Sequence, residues 1–251
     1  MKIIASDFDG TVNYQGKISD KDKEAIKRFR KAGNKFGVVT GRDVELAQWI
    51  KQENGFEFDF LICCTGGVIK NGEGEILYAK KGKAGPFLYE MVDKAIELGA
   101  NFFAVNNIMS KCYVDTLGKI PVDFSMLKEF THSNVGFVTN EGAKEFLEYV
   151  RKNHSDKISA YQNGWHVDMP PVNTSKVTGI YEYAKMFDNP EIYTVGDNVN
   201  DIDMIKEFNG FAVSNALDEV KVVAKHQCDR IADMIDYLLG GENKWIQEIG
   251  L

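Results

Sequence analysis

Short apolar runs alternate with amphipathic stretches along the first third of the chain. Residues 2–6 (KIIAS) read as a buried strand. Residues 19–33 read as a helix, with Ser19 as N-cap, Ala25, Ile26 and Phe29 on one stripe, and Gly33 at the stop. A second strand follows over 35–40, a second helix over 42–55 ending at Gly55, and a third strand over 58–64. Strands separated by helices predict a parallel, doubly wound sheet.

The pattern then changes. Residues 66–81 read as a hairpin, with Asn71-Gly72 in its turn. Beyond Gly82 come a helix (87–99), strands over 101–106, 111–115 and 134–140, and a helix over 141–153. A hairpin over 157–169 turns at Asn163-Gly164, and Pro170-Pro171 closes the segment as a stiff linker. The first pattern then resumes. Helices are predicted over 174–187, 200–208, 216–224, 230–241 and 243–249, with strands over 191–195 and 210–215. The fold class is therefore α/β, a doubly wound, Rossmann-like parallel sheet split in sequence. Residues 1–82 and 170–251 form the core, and 83–169 form an inserted α+β unit.

Composition narrows the functional classes. The chain has 251 residues, 44% hydrophobic and 27% charged, within the globular range. A net charge of −7 argues against general affinity for nucleic acid or anionic membrane. No apolar run approaches the roughly 18 residues that span a membrane. The N-terminal apolar stretch is too short for a signal peptide and runs into acids, so a cytoplasmic location is expected. Cys63, Cys64, Cys112 and Cys228 contain no CxxC pair and are expected to be free, buried thiols. The histidines, at 132, 154, 166 and 226, show no metal-ligand spacing.

The candidate chemistry sits at strand ends. The first strand ends in Asp7 and Asp9, which alternation points the same way. Two such carboxylates mark either a solvated turn or a site that holds positive charge. The second strand ends in Thr40, Gly41 and Arg42. The strand after the insert runs into Asp197, Asn200, Asp201 and Asp203, and Lys176 begins the helix before it. In open parallel sheets, sites form beyond the carboxyl ends of the strands. Three or four carboxylates, an ammonium and a hydroxyl would converge there. Such a set suits a hard cation, and Mg²⁺ with Lys176 can neutralise a phosphate dianion.

The order Asp-x-Asp-Gly-Thr (7–11), Thr-Gly-Arg (40–42), Lys176 and Gly-Asp-x-x-Asn-Asp (196–201) resembles the haloacid dehalogenase superfamily of phosphotransferases. The insert's position resembles the superfamily's C2 cap class. The stretches over 66–77 and 166–176 resemble its Cof-type sugar-phosphate phosphatase branch. Two stretches depart from that branch: Thr65-Gly66-Gly67 where it has Asn-Gly-Ala, and 211–216 where it has a Gly-rich run.

The resemblance implies Asp7 as nucleophile and Asp9 as general acid and then base. It implies Thr40, Gly41, Lys176 and Asn200 on the phosphoryl group, and Mg²⁺ on Asp7, the Asp9 carbonyl and Asp197. Asp201 would support from behind. An Asp at position 9, where ion-pumping relatives carry Thr, favours hydrolysis or transfer.

The implied function is a Mg²⁺-dependent phosphatase of small phosphorylated metabolites, acting through an aspartyl-phosphate. A hexose phosphomutase and a non-catalytic sugar-phosphate sensor are the alternatives. Candidate substrate contacts are Arg42, Asn106 and His166, with Asn107, Tyr113, Asn163 and Trp165 beside them. Trp165 is expected to pack, Asn163 to turn the chain, His166 to sit on the surface or in a hydrogen bond, and Asp203 to lie on a solvated helix face. Arg42 is left between substrate and a helix cap.

Overall fold

A computed structural model describes residues 1–44, 55–108, 110–115, 123–241 and 247–248, with only the backbone of 110–115 and 247–248. Residues 45–54 of the helix predicted over 42–55, the side chains of Cys112 and Tyr113, and most of residues 243–249 fall outside the described residues.

Among the described residues the large sheet has nine strands. Their order is Gln247–Glu248, His226–Cys228, Asn209–Val213, Glu191–Gly196, Lys2–Asp7, Lys35–Val39, Phe60–Cys63, Val68–Asn71 and Ile76–Ala79. The six strands from His226–Cys228 to Phe60–Cys63 are parallel. Burial from both faces accounts for their nearly continuous apolar runs. Lys2–Asp7 lies in the middle, between Lys35–Val39 and Glu191–Gly196, which the chain reaches in opposite directions. That is a topological switch point, where α/β sheets leave a crevice.

Caps fix the helix that follows the first strand. The Ser19 hydroxyl accepts from the Asp22 amide at 3.0 Å, and Gly33 takes a left-handed φ of +83° beyond the Asp20–Lys31 helix. This helix packs against Ile231–Leu238, and Asp22 Oδ1 accepts from the Ala232 amide at 2.8 Å.

The insert carries a five-stranded antiparallel sheet, ordered Tyr161–Asn163, His166–Met169, His132–Phe137, Ala100–Asn107 and Ser110–Asp115. One face buries Phe103, Val105, Val135, Phe137, Val167 and Met169 against helices Phe87–Glu97 and Asn140–Asn153, a core of its own. Alternation turns the opposite residues, Asn134, His166 and Asp168, to the other face.

Three elements differ from the sequence pattern. Gln247–Glu248, expected within a helix, is an edge strand antiparallel to His226–Cys228. A seven-residue helix is too short to hold by itself, and an open sheet edge offers ready backbone partners. His226–Cys228 carries no alternating signal and was not expected as a strand. Gly82–Lys83, at the boundary where no strand was expected, pairs with Glu129–Phe130, where a Cβ on Gly82 would fall 2.5 Å from the Phe130 ring. Trp165, expected to pack, is 58% exposed beside a turn with Gly164 at φ +58°.

Candidate active site

The switch point gathers the charged groups of the sequence motifs. Asp7 ends the central strand, and Asp197 follows its neighbour. Gly10, at φ +83°, lets the loop after Asp9 pass close to Asp197, since a Cβ there would lie 2.3 Å from Asp197 Oδ2. Thr11 Oγ1 donates to Asp197 Oδ1 at 2.7 Å.

Lys176 is aimed by a turn packed on the start of its helix. Cys64, Thr65 and Gly66 all have positive φ, and a Cβ on Gly66 would overlap the Ser175 carbonyl at 1.9 Å. Ser175 caps the helix in a reciprocal pair with Thr178. The Lys176 ammonium is buried and donates to Asp7 Oδ1 and Asp201 Oδ1, each at 2.6 Å. Asp201 Oδ2 accepts from the Asp197 and Asn198 amides, both at 3.1 Å. Asp201 thus braces both the lysine and the Asp197 loop.

The electrostatics are unbalanced. Burial pushes the Asp7 carboxyl well above the usual carboxylate range, Asp201 adds to the shift, and Lys176 pulls it back. We read Asp7 as ionised, because a 2.6 Å contact with an ammonium is a charge-assisted bond. Burial likewise pushes Asp197 up to about 6. Burial works against the Lys176 ammonium, but Asp201 and Asp7 outweigh it and hold its pKa above the ordinary value. Carboxylate oxygens of Asp7, Asp197 and Asp201 lie within 4.8 Å of one another. Three carboxylates face one ammonium, so an oxygen-seeking divalent cation fits the excess charge.

Asp9 and Arg42 stand at the mouth. Arg42 Nε and Nη2 donate to Asp9 Oδ2 and Oδ1 at 2.7 and 2.8 Å, a bidentate pair about half exposed. Of the two partners left open for Arg42, no helix cap is seen among the described residues, while the residue does line the cavity. Asp9 is a third partner that the sequence did not suggest. Thr40 is buried beside them, its Oγ1 accepting from the Arg42 amide at 3.2 Å.

A cavity of about 700 Å³ separates this cluster from the insert's polar face. Asp7, Asp9, Thr40, Gly41, Arg42 and Asn200 line it from the core, and His166 and Asn163 from the insert. Asn163 both ends a strand and reaches the cavity. Asp203 is exposed and lines a separate cavity of about 20 Å³ with Lys176.

Asn106 is not a lining residue. It pairs with His132, two residues along that strand from Asn134, whose partner on the other side is Asp168. The Asn107 side chain turns away to the Glu129 carbonyl at 3.2 Å. The sequence reading missed Thr11, Asn134, Asp168 and Asn198. Asp168 had a signal, since it shares a strand face with His166 two residues before it.

The fold and the acidic switch point define a capped α/β enzyme of the haloacid dehalogenase class. The family model of the haloacid dehalogenase-like hydrolases matches residues 4–234, and the chain belongs to that family. It is 27% identical over 239 residues to the 5-amino-6-(5-phospho-D-ribitylamino)uracil phosphatase YcsE of Bacillus subtilis, covering 91% of this chain and 90% of that one. Among solved structures, a haloacid dehalogenase-like hydrolase from B. subtilis superposes with a TM-score of 0.79 at 20% identity, covering 95% of this chain and all of that one. The HAD subclass IIB sugar phosphatase BT4131 superposes with a TM-score of 0.73 at 20% identity, over 95% and 99% of the two chains. Among the described residues, no helix is long and apolar enough to cross a membrane.

Proposed function

We propose that this protein is a Mg²⁺-dependent phosphatase that hydrolyses small phosphomonoesters of the sugar-phosphate class through an aspartyl-phosphate on Asp7. The observation that carries the reading is the Lys176 ammonium held at 2.6 Å from both Asp7 and Asp201, with Asp197 beside them at the switch point. The relative YcsE is named as a phosphatase of a phosphorylated ribityl chain, which fits a polyol leaving group.

An Asp7 carboxylate oxygen attacks phosphorus, and the bond from phosphorus to the ester oxygen breaks. Asp9 gives that oxygen its proton, then takes one from the water that attacks the phosphorus of the aspartyl-phosphate. The bond from phosphorus to Asp7 breaks, and inorganic phosphate leaves. Lys176 lowers the repulsion between the carboxylate and the dianion. Thr40, the Gly41 amide and Asn200 hold phosphoryl oxygens. Arg42 holds Asp9 outward through two hydrogen bonds before substrate binds, and Asp9 leaves this pair and takes a proton from solvent to act as the acid. Asp7, the Asp9 carbonyl and Asp197, with Asp201 behind, would hold Mg²⁺, which would supply positive charge against the phosphoryl oxygens. The insert acts as the cap that covers the cavity and excludes water.

Phosphate release from a panel of phosphorylated metabolites, with Mg²⁺ or with chelator, tests the reading. Mg²⁺-dependent release, absent in Asp7→Asn, is expected. Interconversion of hexose 1- and 6-phosphates without net release would identify a mutase instead, and ligand binding without turnover a sensor.

A further inference from the structure

The insert sends a carboxylate against the catalytic loop. Asp168, on strand His166–Met169, places Oδ2 2.5 Å from where a Cβ on Gly41 would stand, an approach only glycine permits. Asp168 is buried but lines both the main cavity and the small one beside Thr65 and Lys176. Among the described residues its near polar partner is His132, with Nε2 3.5 Å from Asp168 Oδ1, too long for a firm hydrogen bond. His132 is itself 1% exposed, and neither ring nitrogen has a hydrogen-bond partner among the described residues. Thr65 Oγ1, close to the same spot, is also buried and has no partner among the described residues. Buried polar groups are normally paired. Unpaired ones gathered round a carboxylate at a cavity wall point to a partner that arrives with the ligand.

The chemistry of that partner follows from the donor inventory. An ionised carboxylate only accepts, so its partner is a donor, and on a small phosphorylated metabolite a hydroxyl or an ammonium supplies one. Asn134 and Asn163 line the same wall and can both donate and accept. Arg42, whose guanidinium lines the cavity, is paired with Asp9. A second anionic group on the leaving portion would therefore meet Asp168 with little to offset it.

We propose that Asp168, positioned by His132, is the specificity-determining residue of this site. It accepts hydrogen bonds from hydroxyl or ammonium groups of the leaving portion and rejects leaving portions that carry a second anion. This inference rests on the phosphatase reading above. His132 is a positioning residue that touches substrate only through Asp168.

The test compares kcat/KM on three esters: sorbitol 6-phosphate, which is rich in hydroxyls; 3-phosphoglycerate, which carries a carboxylate; and p-nitrophenyl phosphate, which has neither. Ratios within one enzyme sample are independent of the folded fraction. In Asp168→Ala the ratio of sorbitol 6-phosphate to p-nitrophenyl phosphate is expected to fall about 10- to 100-fold, the loss of a hydrogen bond to a charged group. In Asp168→Asn the ratio of 3-phosphoglycerate to p-nitrophenyl phosphate is expected to rise. His132→Phe should lower the first ratio, His132→Gln should restore most of it, and His132→Phe should change nothing further in the Asp168→Ala background. Unchanged ratios in both Asp168 variants overturn the proposal, and an undiminished effect of His132→Phe in the Asp168→Ala background overturns the role of His132. No phosphate release from any of the three esters by the wild type overturns the phosphatase reading, and this inference with it.

Discussion

The Lys176 ammonium lies 2.6 Å from Asp7 although 169 residues separate them in the chain. Its second bond, to the fully buried Asp201, closes a charged triad. Removing the ammonium leaves two carboxylates facing each other out of water. Breaking a buried pair in this way costs about 3–5 kcal/mol. Lys176→Met in chelator should therefore lower Tm by about 2–4 °C per kcal/mol lost, and abolish turnover. An unchanged melting curve would show that the triad does not hold the two halves of the core together.

Asp7 and Asp9 should fail in different ways. Asp7→Asn should lower kcat by roughly 10⁴- to 10⁶-fold, as when a catalytic unit loses its nucleophile. Asp9→Asn should cost about 10²–10⁴-fold on alkyl esters, the share of general acid–base catalysis. p-Nitrophenol leaves without a proton, so Asp9→Asn should give a burst of nitrophenol and then stall as phosphoenzyme. Stopped-flow absorbance reads the burst; its absence in Asp9→Asn, with steady slow turnover instead, would remove Asp9 from dephosphorylation.

Magnesium should act on stability as well as activity. At 100 times its Kd, a ligand of the folded state adds about 2.7 kcal/mol. Gly10→Ala puts a Cβ 2.3 Å from Asp197 Oδ2 and strains a φ of +83°. The Mg²⁺-induced rise in Tm should therefore shrink in Gly10→Ala and vanish in Asp197→Asn. An equal rise in all three proteins would place the cation elsewhere.

His154 should set part of the acid limb of stability. It is buried beside Phe87 and Tyr149, and burial holds its pKa below the ordinary 6.5, with Glu90 pulling the other way. The unfolded chain then binds its proton more tightly than the folded one. This contribution is present in full above about pH 6.5 and is lost as pH falls through the folded pKa. The slope of Tm between pH 7 and 5 should be shallower in His154→Phe, which keeps an aromatic ring there. Parallel slopes would sink this assignment.

The sheet was legible because its signals are local. Ser19 and Gly33 frame a helix by hydrogen bonds within a few residues, and the apolar runs over 2–6 and 35–40 mark strands buried on both faces. Motif residues were legible for the same reason: Asp7 ends a strand and Thr40 and Asp197 each follow one, so topology alone carries them to one edge. Insert residues were not. Asn106 and Asp168 are both polar strand residues, and which one reaches the cavity depends on pairing register. The edge strand Gln247–Glu248 was invisible because its partner is 20 residues away and its own pattern suits a helix.

Spacing and alternation by themselves determined the doubly wound core, the place of the insert and the order of the acidic motifs, since each follows from interactions between near neighbours. Only the tertiary structure decided that Arg42 grips Asp9, that Asp201 shares Lys176 with Asp7, and that Asp168 rather than Asn106 faces Gly41. Those contacts join segments whose separation and register come from packing, and a linear chain carries no record of them.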